Sequence, residues 1–95
     1  FSFEDIFSRQ VDALGNKNDV LYVSSTSGKS KNIIKAIKTA KKKQMKIIGL
    51  TGKKGGKMDL FCDVIIRVPS TNAARIQEMH IAIGQIICEV VEDTL

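Results

Sequence analysis

The sequence predicts an α/β fold, a parallel sheet flanked by helices in a doubly wound arrangement. Three observations lead there. Three short apolar runs, VLYVSS at 20–25, MKIIGLTG at 45–52 and DVIIRVPS at 63–70, are bounded by turn residues, as buried strands are. Between the first two lies a lysine-rich stretch with apolar residues at helical spacing, the crossover that parallel strands need. The runs are nearly continuous in apolar character rather than alternating, the pattern of strands covered on both faces.

Each element has its own signals. SFEDIFSRQVDAL at 2–14 opens with Ser2 and an acidic first turn at Asp5, repeats Ile6, Phe7, Val11 and Leu14 at helical spacing, and stops at Gly15. In KSKNIIKAIKTAKKKQMK, residues 29–46, Ile33, Ile34, Ile37 and Ala40 form one stripe, while Lys31, Lys35, Lys38, Lys41 and Lys42 point away from it. KKGGKMDLF reads as a loop with one helical turn near its end. TNAARIQEMHIAIGQIICEVVEDTL, residues 71–95, reads as a long helix whose stripe of Ile76, Met79, Ile83, Ile86, Ile87, Val90 and Val91 is wide enough to bury most of it. Three strands are few for a doubly wound sheet, so residues 1–95 are expected to be the C-terminal portion of one α/β domain.

Composition narrows the function classes. Hydrophobic residues at 43% and charged residues at 26% fit a folded globular chain rather than a disordered one. No apolar run approaches the ~20 residues a membrane helix needs, and no secretory leader is visible, so the expected location is cytoplasmic. The net charge of +5 raises nucleic acid as a partner, yet aromatic residues are only 5% and stacking platforms are poorly supplied. The lysine helix therefore reads as a solvated face whose last turn suits the helix dipole. Cys62 and Cys88 are far apart, form no C-x-x-C pair, and read as small buried hydrophobes in a reducing compartment.

The chemistry concentrates in SSTSGKS, residues 24–30. In a doubly wound sheet, ligands sit where strands hand over to helices at the carboxyl edge. A helix N-terminus there offers unpaired N–H groups and a partial positive charge, which favours phosphate. Ser25, Thr26, Ser27 and Ser30 add hydroxyl donors, Gly28 lets the backbone approach an oxyanion, and Lys29 can add charge. A single hydroxyl suffices for an N-cap, so four within six positions point to a phosphate cradle. The G-x-x-x-x-G-K-[ST] spacing of a nucleoside-triphosphate loop is absent.

STSGKS after DVLYVS, together with NIIKAIKTAKKKQMKIIGLTGKKGGKM, CDVIIRVPS and ARIQEMHIAIGQII, resembles the sugar isomerase (SIS) family over essentially the whole chain. STSG-x-S resembles SIS domains at large. LTGKKGGKM with RIQE-x-H is more specific to the phosphoheptose isomerase group, whose relatives include the DnaA initiator-associating protein. The resemblance implies a flavodoxin-like, SIS-type fold and an aldose–ketose isomerisation of sedoheptulose 7-phosphate through an enediol. It implies that Ser25, Thr26, Ser27 and Ser30 hold the sugar phosphate, and that Gln77 contacts substrate and coordinates zinc. The alternative it leaves open is a non-catalytic module of the same fold that binds a sugar phosphate or a protein such as the replication initiator.

Two departures bear on chemistry. The family's base glutamate belongs to an amino-terminal half without a counterpart in these 95 residues. Its late histidine, a metal and catalytic position eight residues beyond the RIQE glutamine, is Gln85 here. Glutamine cannot move a proton near neutral pH as histidine does. His80, the only histidine, stands three residues after Gln77; it reads as a hydrogen-bonded helix residue, with catalysis as the second option. Eight residues of straight helix separate Gln77 from Gln85 by ~12 Å, too far for one ion with ~2 Å bonds. Either the helix is distorted or the site is shared between subunits; the broad apolar face of this helix favours assembly, so a homo-oligomer, a tetramer by resemblance, with sites at subunit interfaces is expected.

Overall fold

The computed structural model describes residues 5–95. The order is α1 (Ile6–Leu14), β1 (Val20–Ser24), α2 (Lys31–Lys42), β2 (Lys46–Thr51), a 3-10 turn (Lys57–Leu60), β3 (Val64–Arg67) and α3 (Ala73–Thr94). The strands form one parallel sheet in the order β1-β2-β3. Val20 pairs with Lys46 and Ser24 with Leu50 across the first ladder; Ile48 pairs with Val64 and Thr51 with Arg67 across the second.

The crossover helix builds the core on one face of the sheet. Ile37 and Ala40 of α2 are fully buried with Val23, Ile47, Met45 and Met58, and Val11 of α1 packs against them. Ile33 and Ile34 are half-buried at the edge of the same cluster. The expected stripe is therefore the buried one. Among the lysines opposite, Lys35 pairs with Asp5 at 2.9 Å and Lys38 lies 5.5 Å from the Phe61 ring centre. The helix stops through backbone bonds, Met45 N–H to Ala40 O at 3.0 Å and Gln44 N–H to Lys41 O at 3.0 Å, with Gln44 at φ 62° where glycine is the usual occupant.

Five sequence expectations are corrected. The first helix begins at Ile6 with Asp5 as its cap residue and no acid in its first turn; the Ser2 start signal lies outside the described residues. Only β2 is covered on both faces, since Val20 (58%), Tyr22 (38%) and Val64 (50%) are exposed on strands that each have a single neighbour. The expected 63–70 strand pairs over Val64–Arg67, after which the chain turns at Pro69. The α3 stripe is not buried: Met79, Ile86, Val90 and Val91 are exposed, and the buried residues are Ile76 and His80. Twenty-two helical residues extend ~33 Å, against ~20 Å for the six residues of β2, so α3 overhangs the sheet it packs on. Cys88, on that overhang, is exposed rather than buried, and Cys62 is half-buried.

What this architecture positions is the carboxyl edge. Ser25 N–H donates to Leu50 O (2.9 Å), Val68 N–H to Thr51 O (2.9 Å) and Lys53 N–H to Ser70 O (3.0 Å), so the loops after all three strands are tied to one another.

Candidate phosphate site

The hydroxyl loop is the connection from β1 to α2. Ser25 Oγ accepts from Gly28 N–H at 3.0 Å and Ser27 Oγ accepts from Lys29 N–H at 3.2 Å, two short-range bonds that close the turn. Ser30 occupies the N-cap position in extended conformation, with Ile34 N–H donating to its carbonyl at 3.0 Å. Its side chain makes no cap bond, and the first turn of α2 holds no acidic residue. No carboxylate of α2's own first turn offsets the partial positive charge of its N-terminus, and a hydroxyl stands at its cap position.

The role of Gly28 differs from the one its sequence context suggests. It is buried and sits at φ +65°, and a Cβ there would come within 2.9 Å of Gly55 O. A Cβ on Gly56 would in turn run into the Gly28 carbonyl. The hydroxyl loop therefore leans backbone against backbone on the Gly55–Gly56 pair, and Met58 N–H reaches Gly28 O at 3.3 Å. Glycine here serves packing and a left-handed turn rather than an open approach for an oxyanion. KKGG read locally is only a loop; its service as the loop's backing depends on a contact 27 residues distant.

Ser25, Thr26, Ser27, Ser30, Gln77 and His80 line one cavity of ≈ 480 Å³. Of the residues expected at the site, Gly28, Lys29 and Gln85 are not among its walls; Gln85 lies exposed, two turns further along the unbroken α3. His80 is buried, and its Nε2 lies 3.0 Å from the Thr51 carbonyl oxygen. A carbonyl only accepts, so Nε2 carries the proton of this bond and the imidazole is the donor. Tyr22 of β1 directs its hydroxyl to His80 O at 3.5 Å; burial, then the Cys88 charge, raise its pKa above the usual phenol value.

These donors suit a phosphate and not, by themselves, a zinc ion. Among the described residues no group of three or more His, Cys, Asp or Glu stands close enough together to hold a metal. Gln77 and Gln85 offer amide oxygens from one continuous helix, and His80 has committed a ring nitrogen to Thr51.

Comparison with known proteins places the chain firmly. A family model described as "SIS domain" matches residues 1–52. A phosphoheptose isomerase of Rhodospirillum rubrum is 55% identical over 95 residues, covering 100% of this chain and 50% of that protein. One from Campylobacter jejuni is 53% identical over 93 residues, covering 98% and 50%. The solved structure of a phosphoheptose isomerase from Francisella tularensis superposes with a TM-score of 0.91 at 44% identity, over 96% of this chain and 51% of that one. The chain spans about half the length of the curated relatives it matches.

Proposed function

The chain belongs to the SIS domain family, and on that premise we propose that residues 1–95 are the C-terminal portion of a single SIS domain in a cytoplasmic phosphoheptose isomerase. The reaction is the conversion of sedoheptulose 7-phosphate to D-glycero-D-manno-heptose 7-phosphate, an aldose–ketose isomerisation supplying heptose for surface polysaccharide. The observation that carries this reading is the gathering of Ser25, Thr26, Ser27, Ser30, Gln77 and His80 around one cavity at the N-terminus of α2.

In this reading the hydroxyls and the α2 N-terminus hold the phosphate dianion, which anchors the sugar at one end. Gln77, exposed at the cavity rim, hydrogen-bonds a sugar oxygen and fixes the register of the reacting carbons. His80 positions α3 against the end of β2 through Thr51. The proton that moves between adjacent carbons is handled by groups outside this chain. Zinc belongs to the proposal as an ion whose nitrogen or acidic ligands come from elsewhere, with Gln77 contributing at most one oxygen; no step is drawn through it. No helix among the described residues is long and apolar enough to cross a membrane, and the exposed apolar residues of α3 support a homo-oligomer, a tetramer by family likeness.

Gln85 supports a second reading, a non-catalytic SIS module that binds a sugar phosphate or a protein such as the replication initiator DnaA. One assay separates them: turnover of sedoheptulose 7-phosphate by the full-length protein, with and without zinc, beside Gln85→His. The isomerase reading expects measurable turnover that the variant raises by about 10²-fold, the scale of general acid–base assistance. Absence of turnover in both proteins, with sugar phosphate still bound, establishes the module.

A further inference from the structure

The hydroxyl cavity contains no charged side chain among its lining residues, although the protein carries a net charge of +5. The cationic groups at the carboxyl edge stand next door. A second cavity of ≈ 230 Å³ is lined by Lys29, Lys53 and Lys54, by the hydroxyl residues Ser70 and Thr71, and by no carboxylate. It shares Thr26 and Ser27 with the first cavity, so those two residues stand between the sites.

The second cavity is built from all three strand ends. Its floor is Gly52 and Ile76, both buried, and a Cβ on Gly52 would meet Ile76, Thr26 O and Ser70 O at once. Any other residue at position 52 would fill it. Its rim is fixed by backbone bonds, Lys53 N–H to Ser70 O at 3.0 Å and Gly55 N–H to Gly52 O at 3.0 Å, and by Asn72 N–H donating to Ser70 Oγ at 3.1 Å. The ion pairs among the described residues engage Lys35, Lys43 and Arg67, and none involves Lys29, Lys53 or Lys54. Three lysines thus line one concave pocket whose walls hold no carboxylate to offset their charge, so an anion that enters meets net positive charge.

We propose that this pocket is a second anion site, taking a free inorganic phosphate or small phosphomonoester, distinct from the phosphate held by the hydroxyl loop. Lys29, Lys53 and Lys54 supply charge, Ser70 and Thr71 supply donors, and Gly52 supplies the room. Because Thr26 and Ser27 wall both cavities, an anion in one weakens the binding of an anion in the other through like-charge repulsion. The site thus acts as a phosphate-sensing brake on the first.

The test is equilibrium dialysis of the full-length protein against inorganic phosphate at low ionic strength, where charge effects are least screened. The wild type binds two phosphates per chain. Lys53→Ala/Lys54→Ala leaves one, and lowers affinity at the lost site by about tenfold or more, the scale of a charge-assisted contact. Lys41→Ala/Lys42→Ala, which removes two exposed lysines at the far end of α2, leaves both sites intact. One phosphate per chain in the wild type overturns the proposal, and so does equal weakening by the two lysine pairs, which would reveal only a general field. Ser30→Ala reports on the first site separately: two sites that both ignore Ser30→Ala would remove the hydroxyl-loop reading and leave this one standing.

Discussion

His80 on α3 donates through Nε2 to the backbone carbonyl of Thr51, the last residue of β2, across 3.0 Å in the buried interior. Thr51 and Gly52 are the residues from which the carboxyl-edge loop springs, so this bond sets the height of α3, and with it Gln77, over the hydroxyl loop. Gln77 lies about one turn before His80, on the stretch of helix that the bond holds. Removing the imidazole leaves a buried carbonyl without its donor. His80→Ala is expected to lower unfolding free energy by about 1–3 kcal/mol in urea titration, with His80→Asn recovering part of it. Loss of turnover in His80→Ala at unchanged stability would instead mark the histidine as a proton-transfer group.

Gly28 is predicted to be intolerant of any side chain. Alanine there meets both a left-handed backbone at φ +65° and the carbonyl of Gly55. Gly28→Ala is expected to cost about 1–3 kcal/mol and to weaken sugar-phosphate binding at the same time, because the loop cannot keep its seat on Gly55–Gly56. A variant of wild-type stability and affinity would mean that the loop is not held by that contact.

The two cysteines should differ in reactivity. Burial raises the Cys62 thiol above its usual pKa, with the nearby carboxylates of Asp59 and Asp63 adding to the effect, whereas Cys88 is exposed. Timed alkylation at about pH 8 should label Cys88 first. The sign for stability follows: the unfolded thiol ionises before the folded one, so the contribution of Cys62 is complete below the ordinary thiol range and fades as pH rises through the raised value. Faster labelling at Cys62 would contradict the burial.

The fold was legible where local pattern and tertiary role agree. The period of Ile33, Ile37 and Ala40, the run KIIGL and the turn at Gly55–Gly56 each announce their element, and the parallel crossover follows. The four hydroxyls were legible as a cluster on the strand-to-helix loop, and Gln77 joined them through the family resemblance; His80, read as a hydrogen-bonded helix residue, makes such a bond and also lines the cavity. Other features depend on residues far apart in sequence. The support of Gly28 by Gly55, the commitment of His80 to Thr51, and the meeting of Lys29 with Lys53 and Lys54 leave no local periodicity to read. The apolar α3 stripe misled for a related reason: its pattern records burial, and this chain alone does not supply what would cover it.

The central claim is that the hydroxyls of residues 25–30 serve a phosphate rather than the cap of α2, and Ser30 separates the two roles most directly. Its side chain stands at the cap position without making a cap bond, unlike Ser25, whose Oγ accepts from Gly28 N–H. In Ser30→Ala, urea unfolding should shift by less than about 0.5 kcal/mol, below the usual cost of losing a cap. Titration calorimetry with sedoheptulose 7-phosphate on the full-length protein should show affinity lower by about tenfold or more, as for a hydrogen bond to a charged group. A stability loss of about 1 kcal/mol with affinity unchanged would mean that the serine is a cap, and that the loop is no cradle.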